Sequence, residues 1–355
     1  MNHYHIAAIA GDGIGKEIMP EGKRIIDFLG EISGQYKIKW QNFHWSCDYY
    51  QEFGCMMPED GLEILKEFDA IYFGAVGWPS VPDAISLWQL RLAICQGFEQ
   101  SVNVRPAELF PGVPSPLRDR EPGEIDFVVV RENTEGEYAG IGGRSHIGHP
   151  EEIATETSVF TRKGIERVMR YAFALAQTRQ KKLACVTKSN AQRYSFVLWD
   201  EVFDAVAKEY PYVETERVLV EAMAARFVLA PESLDVIVAS NLHGDILTDL
   251  GGALVGSLGM APSGNINPER KYPSMFEPIH GSAPEIYGKK LANPYGMFLS
   301  GAMMLDHLGE KESAALIEFA VKQATRKGSL TPDIGGAMKT TEITEAVITQ
   351  IRSYS

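Results

Sequence analysis

Two aspartates in the last third of the chain have a spacing that suits metal chemistry. Asp245 and Asp249 follow an apolar, strand-like run at residues 234–239. Side chains four residues apart on a helix share one face. Mg²⁺ and Mn²⁺ bind one or two protein carboxylates together with oxygens of water and substrate, so this pair could supply half of such a site. The alternative is that both acids only face solvent.

Small and polar residues around the pair favour the ligand interpretation. Asn241 and His243 precede Asp245, and glycines stand at positions 244, 251 and 252. Glycine lets a ligand approach the backbone closely, which a solvated helix face does not require. We therefore interpret residues 240–252 as part of a binding site.

The elements that must position this pair alternate between strand and helix along most of the chain. Periodicity predicts strands at 4–10, 36–43, 70–73, 125–130, 153–160, 183–187 and 214–220, and helices at 16–29, 58–68, 83–98, 161–177, 195–208, 294–306, 310–326 and 342–352. This alternation predicts an α/β layered architecture. We expect a surface loop at the Gly- and His-rich segment 140–149, because its histidines lack a compact metal-ligand spacing, and loops from 259 to 284.

A glycine-rich turn follows the first predicted strand. The segment Gly11-Asp-Gly-Ile-Gly15 resembles a dinucleotide-binding fingerprint, but Lys16 stands where that pattern requires its third glycine. The match is therefore weak evidence for a cofactor site at this turn.

Composition limits the class of protein. At 355 residues and 45% hydrophobic content the chain exceeds the usual size of a single core, so we expect two domains, with a crossing near residue 104. The formal net charge of −13 argues against general binding to nucleic acid or to an anionic membrane surface. No apolar run approaches membrane-spanning length, and no secretory signal pattern is present. The scattered Cys47, Cys55, Cys95 and Cys185 fit a reduced, cytoplasmic protein.

Seven short motifs, in order along the chain, resemble the β-decarboxylating dehydrogenases, the family of isopropylmalate, isocitrate and homoisocitrate dehydrogenases. The closest likeness within the family is to its tartrate and decarboxylating D-malate dehydrogenase branch. The motifs are Gly11-Asp-Gly-Ile-Gly-Lys-Glu17, Met57-Pro-Glu-Asp60, Asn103-Val-Arg105-Pro, Val130-Arg-Glu-Asn-Thr-Glu-Gly-Glu-Tyr138, Thr187-Lys-Ser-Asn190, Ser240-Asn-Leu-His-Gly-Asp-Ile-Leu-Thr-Asp249 and Glu277-Pro-Ile-His-Gly-Ser-Ala-Pro284.

The resemblance implies a two-domain, isopropylmalate dehydrogenase-like α/β fold with a central mixed sheet flanked by helices. It is not a Rossmann fold, so the turn at residues 11–15 becomes an ordinary strand-to-helix turn. Residues 1–103 and 257–355 would form the cofactor-binding domain. Residues 104–256 would form the domain for substrate, metal and dimerisation. A homodimer would share its two active sites.

The resemblance also assigns roles to residues. It implies NAD as cofactor, Mg²⁺ or Mn²⁺ as metal, and K⁺ as a further candidate. An acid at Glu285 followed by apolar Ile286 favours NAD, because a carboxylate can bond ribose hydroxyls and repels a 2′-phosphate. The implied cofactor-binding residues are His280, Gly281, Ser282, Ala283, Glu285, Ile286, Asn293 and Asn190.

The implied reaction is oxidation of a small 2-hydroxy diacid of the D-malate or tartrate type, followed by decarboxylation. Lys188 would act as general base in the partner's site, and Tyr138 would protonate the enolate. Arg105 and Arg131 would hold substrate carboxylates through their guanidinium groups. Taken singly, such an arginine, lysine or tyrosine is more often structural, and only their joint occurrence with the aspartates favours catalysis.

Two positions depart from the family pattern. Cys95 stands where members carry a substrate-binding arginine, and Arg91, one turn earlier on the same helix face, is a candidate replacement. Glu221 stands where the partner subunit supplies a metal-binding aspartate. Three alternatives therefore remain: a non-catalytic or regulatory paralogue, a dehydrogenase for a substrate that lacks one carboxylate, and one that does not decarboxylate.

Overall fold

A single ten-stranded mixed sheet forms the centre of the molecule. The structure, a computed structural model, describes residues 1–354. Strand order in the sheet is β2-β1-β3-β12-β11-β4-β5-β10-β8-β9. The strands are β1 Asn2–Gly11, β2 Tyr36–Phe43, β3 Ala70–Ala75, β4 Val102–Glu108, β5 Asp126–Glu132, β8 Lys182–Thr187, β9 Glu214–Leu219, β10 Val236–Ala239, β11 Pro262–Ile266 and β12 Ser274–Pro278.

The strand order separates the chain into two halves of the sheet. Strands β2, β1, β3, β12 and β11 come from the first and last parts of the sequence, whereas β4, β5, β10, β8 and β9 come from the middle part. The antiparallel pair β11 and β4 joins the two halves. Most other neighbours are parallel, and strands such as β3 and β10 are buried along their whole length, as expected when helices cover both faces.

Within residues 1–354, twelve α-helices surround the sheets. They are α1 Gly15–Ser33, α2 Cys47–Phe53, α3 Gly61–Leu65, α4 Asp83–Ser86, α5 Ala93–Gly97, α6 Arg162–Thr178, α7 Ser195–Ala207, α8 Val220–Leu229, α9 Asn241–Leu254, α10 Tyr295–Leu308, α11 Lys311–Arg326 and α12 Thr340–Tyr354. A π-helical segment, Leu87–Leu92, joins α4 to α5. Alternate residues of β1 enter two separate core clusters, Ile6 and Ala8 in one and Ala7 and Ile9 in the other, so both sheet faces are packed.

A second, two-stranded sheet lies outside the central one, and here the predicted surface loop at 140–149 is wrong in part. Strand β6, Gly136–Ser145, pairs antiparallel with β7, Ile153–Val159. The glycines obscured the strand pattern, yet at Gly142 a Cβ atom would lie 2.2 Å from the Thr155 carbonyl oxygen, so only glycine fits there. Residues 146–149 do form the turn between the strands.

The prediction of loops from 259 to 284 is also wrong in part, because β11 and β12 lie within this range. Each strand has only five residues, and Pro262, Gly264 and Pro278 interrupt any apolar alternation. Both strands are held by pairing to sequence-distant neighbours, β4 and β3, which local sequence does not reveal. Sheet pairing therefore outweighed local propensity.

The glycine-rich turn at residues 11–15 joins β1 to α1, as the family resemblance implies. A Cβ at Gly13 would lie 2.0 Å from the Ser282 carbonyl oxygen, and the Ile14 amide donates to that same oxygen at 2.9 Å. The glycine is thus needed for packing against the segment that begins at His280. None of the helices within residues 1–354 combines the length and apolar content needed to cross a bilayer.

Candidate active site

Seven of the predicted site residues line one cavity between the two halves of the sheet. Arg105 lies on β4, Arg131 on the adjacent β5, Tyr138 on β6 and Asp245 on the second turn of α9. They line a cavity of about 180 Å³. The other polar or charged side chains on its wall are Arg91, Glu277 and His280. A small polar cavity of this kind fits a small anionic ligand.

Asp245 is the centre of the cluster. One carboxylate oxygen accepts from Arg131 Nη1 and, at 3.2 Å, from Arg105 Nη1, while the other accepts from the Tyr138 hydroxyl at 3.3 Å. Burial raises the pKa of Asp245, but the charges of Arg131 and Arg105 lower it by more, so the net shift is downward. Asp245 is therefore ionised over the neutral range.

Polar neighbours fix the two arginines in place. Arg131 donates through Nη2 and Nε to Asn241 Oδ1 at 2.6 and 3.0 Å, and Arg105 donates to Asn103 Oδ1 at 2.6 Å and Thr248 Oγ1 at 2.7 Å. Only 2% of Arg131 and 7% of Arg105 is exposed. Burial and the nearby Arg131 charge lower the pKa of Arg105 to about 10, so it keeps its charge at neutral pH. The cavity thus presents fixed positive charge.

Asp249 lies one turn along α9 and is more exposed than Asp245. Its nearest cation is Arg105, with Nη1 4.0 Å from Oδ1. Burial and the charge of Asp245 raise the pKa of Asp249. Asp249, with only this distant cation, and Asp245 on the same helix face are acidic oxygen donors of the kind that a hard divalent cation prefers. Within residues 1–354, no group of three or more His, Cys, Asp or Glu side chains is placed to hold a metal ion, so one chain offers at most this pair.

Arg91 points into the same cavity, from the π-helical segment. Its Nε and Nη2 lie 2.8 and 2.7 Å from Glu277 Oε1, and Nη2 donates to Asn265 Oδ1 at 3.3 Å. Burial lowers the pKa of Arg91, but the charge and hydrogen bond of Glu277 together with the charges of Cys95 and Asp245 raise it by more, so the net shift is upward. Cys95, one turn further on, is fully buried in the second core cluster, so its thiol fills core space.

Lys188, Glu221 and Asn190 lie elsewhere and do not line the cavity. Lys188 follows β8, Glu221 is in the first turn of α8, and Lys188 Nζ donates to Glu221 Oε1 at 2.6 Å. The charges of both act on His243, whose pKa is lowered chiefly by burial. Residues two apart on a helix point in nearly opposite directions, so His243 and Asp245 face different sides of α9.

Six of the eight predicted cofactor residues, those from His280 to Ile286, form a strip beside the cavity. His280 and Gly281 line the cavity itself, and Gly281, Ser282 and Ala283 line a neighbouring cavity of about 520 Å³ that also includes Trp78. The strip continues to exposed Glu285 and half-buried Ile286. Asn293 is buried and already bonded within the chain, through Nδ2 to Asp333 at 3.0 Å and Oδ1 to the Tyr295 amide at 3.0 Å. The predicted residues from His280 to Ile286 thus lie along the cleft, whereas Asn190 does not line it and the side-chain polar atoms of Asn293 are engaged within the chain.

Comparison with known proteins identifies the family. A model of the isocitrate/isopropylmalate dehydrogenase family matches residues 5–347. The chain belongs to this family. It is 56% identical over 352 residues to a probable tartrate dehydrogenase/decarboxylase of Agrobacterium vitis, covering 99% of this chain and 98% of the relative. It is 50% identical over 355 residues to the decarboxylating D-malate dehydrogenase of Escherichia coli, covering 98% of both.

A solved structure agrees with the fold. The isocitrate dehydrogenase of Methylococcus capsulatus superposes with a TM-score of 0.88 at 34% identity, covering 98% of this chain and 99% of that one. The α/β fold with a central mixed sheet is thereby confirmed. The structure also adds two polar residues that sequence reasoning did not select: Glu277, which lines the cavity, and the fully buried Asn265, which bonds to Arg91 and Glu277 behind it. Glu277 opens one of the seven motifs, which was an available signal, whereas Asn265 lies in the unpredicted strand β11.

Proposed function

We propose that this protein oxidises a small 2-hydroxy diacid of the D-malate or tartrate type with NAD and a divalent metal, and that the oxidised product then loses CO₂. The observation that carries the proposal is the convergence of Arg105, Arg131, Tyr138 and Asp245 on one cavity beside His280 and Gly281. The names of the relatives support the oxidation and the decarboxylation of a hydroxy acid.

Arg105 and Arg131 are the proposed anchors of the substrate's C4 carboxylate, which is the carboxylate farther from the proposed metal site. Both direct an Nη1 nitrogen at Asp245. A cation that engages Asp245 and Asp249 would compete for the Asp245 oxygen, which would leave these nitrogens available to a substrate carboxylate. The buried, multiply bonded stems of the arginines would keep them in position during this exchange.

The paired carboxylates Asp245 and Asp249 fit a Mg²⁺ or Mn²⁺ half-site, because both are acidic oxygen donors on one helix face at a strand end. A cation bound there would act as a Lewis acid on the substrate's hydroxyl oxygen. Completion of its coordination would fall to water, to the substrate and to Glu221 of the partner subunit.

The strip from His280 to Ile286 is the proposed cofactor site. His280 Nδ1 lies 2.9 Å from the Gly281 carbonyl, and His280 Nε2 is buried without a hydrogen-bond partner among residues 1–354. An unpaired buried nitrogen beside a cavity suits a bound polar ligand. Exposed Glu285 at the far end favours NAD over NADP through repulsion of a 2′-phosphate.

Tyr138 and Lys188 are the proposed acid and base. Burial and the neighbouring Asp245 charge raise the pKa of Tyr138, so its hydroxyl keeps a proton to donate to the enolate carbon. Lys188 does not line the cavity of its own chain, so we assign the proton-accepting amine of each site to the partner subunit's Lys188.

A homodimer would bring Lys188 and Glu221 to the partner's cavity. Helix α8, which carries Glu221, and its neighbour α9 also expose apolar side chains, including Leu229 at 76% and Ile246 at 61%. The two-stranded sheet of β6 and β7 likewise exposes Ile141 and Ile153. Two-stranded sheets are marginal alone, and exposed apolar surface of this kind is typical of a subunit interface.

The test is a turnover assay with NAD or NADP, Mn²⁺ or Mg²⁺, and a panel of 2-hydroxy diacids that includes D-malate and the tartrates. We expect NADH formation matched by CO₂ release, and no turnover after metal chelation. NADH formation without CO₂ release would indicate a dehydrogenase that does not decarboxylate its product. Metal or cofactor binding without turnover on any acid would point to a non-catalytic paralogue.

A further inference from the structure

The pair formed by Arg91 and Glu277 has an unusual division of hydrogen-bonding groups. Arg91 donates through Nε to Glu277 Oε1 at 2.8 Å and through Nη2 to Asn265 Oδ1 at 3.3 Å, and Nη2 also lies 2.7 Å from Glu277 Oε1 as an ion-pair contact. Glu277 Oε1 also accepts from Asn265 Nδ2 at 2.7 Å. Both side chains are nearly buried, with 11% of the Arg91 side chain and 6% of the Glu277 side chain exposed. The pair is therefore rigid within the wall of the cavity.

One donor and one acceptor of this pair remain. Among residues 1–354, no acceptor lies at hydrogen-bond distance from Arg91 Nη1 and no donor from Glu277 Oε2, and both residues line the cavity with Arg105, Arg131 and Asp245. A hydroxyl group can accept from a guanidinium and donate to a carboxylate at the same time. A carboxylate cannot donate to Glu277 and would be repelled by its charge.

Arg105 and Arg131 differ from Arg91 in the acidic residue with which they pair. Arg105 and Arg131 direct Nη1 at Asp245, a partly exposed acid that a cation can engage. Arg91 instead faces Glu277, a residue of β12 that also accepts a hydrogen bond from Asn265. Arg91 thus lacks a free guanidinium fork for a carboxylate and offers one nitrogen, which suits a single oxygen atom.

We propose that Arg91 and Glu277 together recognise a hydroxyl group on C3 of the substrate, so that the preferred substrate is a 2,3-dihydroxy diacid. This inference rests on the proposed function. In a four-carbon 2-hydroxy diacid, C2 carries the reacting hydroxyl and one carboxylate near Asp245 and Asp249, and the C4 carboxylate takes Arg105 and Arg131. The substituents on C3 are the ones left to face the Arg91 and Glu277 pair.

The experiment compares D-malate with the tartrate stereoisomers that share its configuration at C2, in the full-length protein with NAD and Mn²⁺. Wild type should show kcat/KM at least about tenfold higher for one tartrate, as expected for a hydrogen bond to a charged donor. Arg91→Lys keeps a cation beside Glu277 but removes the spare nitrogen. It should reduce kcat/KM for that tartrate about tenfold more than for D-malate.

A second variant guards against misfolding, because Arg91→Leu alone would leave a buried carboxylate unpaired. The double variant Arg91→Leu/Glu277→Gln removes both charges and should show the same selective loss. Calorimetric binding of both acids with Mn²⁺ but no cofactor should reproduce the selectivity. Equal losses for both acids would mean that Arg91 holds a carboxylate, and no loss of kcat/KM for either acid would mean that the pair is only structural. Either result overturns the inference, whereas failure of wild type on every acid would instead overturn the proposed function.

Discussion

Two clusters of charge lie on different sides of helix α9 and are built in different ways. The cleft cluster consists of Arg105, Arg131, Tyr138 and Asp245, with its arginines almost fully buried and each held by several hydrogen bonds. The surface pair consists of Lys188 and Glu221, joined by one contact of 2.6 Å with 28% and 53% of their side chains exposed.

The difference indicates where each cluster acts. The cleft cluster is fixed by its own chain, through Asn103, Asn241 and Thr248, so its geometry exists before any ligand binds. An exposed ion pair contributes little to stability and can exchange partners at small cost. The surface pair is therefore suited to a site that a second subunit completes.

The largest effect is expected at the centre of the cleft cluster. Asp245→Asn removes the charge that faces both arginines and half of the proposed metal site. We expect kcat to fall about a thousandfold or more, on the scale of losing a charge stabiliser in the transition state. Steady-state NADH formation with saturating Mn²⁺ measures the loss.

Asp235→Asn is the matched control, because Asp235 is also a buried acid paired with an arginine, Arg179, at 2.8 Å, but lies outside the cleft. It should lower stability and leave kcat near the wild-type value. Similar kcat losses in both variants would mean that Asp245 serves the fold and not the chemistry.

Subunit mixing tests whether the surface pair serves the other subunit's cleft. Lys188→Ala and Asp245→Asn chains should each be inactive alone. In a mixed dimer, one site combines an intact Asp245 with the partner subunit's intact Lys188. Random association should then restore about one quarter of wild-type activity, since half of the dimers are mixed and each has one working site.

Coexpression with two affinity tags isolates the mixed dimer, which should have about half of the wild-type activity. A mixed dimer as inactive as either parent would show that Lys188 and Asp245 act within one chain, or that Lys188 is not the base. The proposal that the Lys188 and Glu221 pair serves the cleft of the other subunit would then be wrong.

A smaller effect is expected at Tyr138, the member of the cleft cluster proposed to act after hydride transfer. Tyr138→Phe removes the hydroxyl that donates to Asp245 and leaves the ring beside Arg131. Loss of a general acid should lower kcat about a hundredfold. Single-turnover NADH formation should fall less than the release of the final keto acid, and equal losses would argue against a role in enolate protonation.

The sequence predicted much of the cleft cluster because its members lie in contiguous motifs at strand and helix ends. The four positions of Arg105, Arg131, Tyr138 and Asp245 do meet at one cavity. The boundaries of β2 and the existence of the long helices were also predictable, since their apolar periodicity is strong.

The remaining features depend on contacts that local sequence does not encode. Strand β6 is rich in glycine and is recognised only through its pairing with β7. The bond between Arg91 and Glu277 joins residues 186 positions apart, from a π-helical segment and a short strand. Periodicity describes which residues share a face, but it does not specify which distant strand lies beside that face.

The smallest predicted effect separates the two aspartates with which the sequence interpretation began. The pKa of Asp245 is lower in the folded protein than in the unfolded chain. Its ionised form therefore stabilises the fold at pH values above the unfolded-chain pKa, and this stability is lost as the pH falls through the folded-state pKa. The pKa of Asp249 is higher in the folded protein than in the unfolded chain, so its contribution has the opposite sign. Its protonated form stabilises the fold at pH values below the unfolded-chain pKa, and this stability is lost as the pH rises through the folded-state pKa.

At neutral pH and without metal, Asp245→Asn should therefore destabilise the protein by about 1 kcal/mol, discounted for partial exposure, and Asp249→Asn should stabilise it by about a few tenths of that. Urea unfolding with a chelator at pH 7 and near pH 4 measures both. The Asp245 difference should shrink toward the acid end, because protonation then removes the same charge. Changes of the same sign in the free energy of unfolding for both variants would mean that Arg131 and Arg105 stabilise the two carboxylates equally. Pairing with these arginines would then not distinguish Asp245 from Asp249.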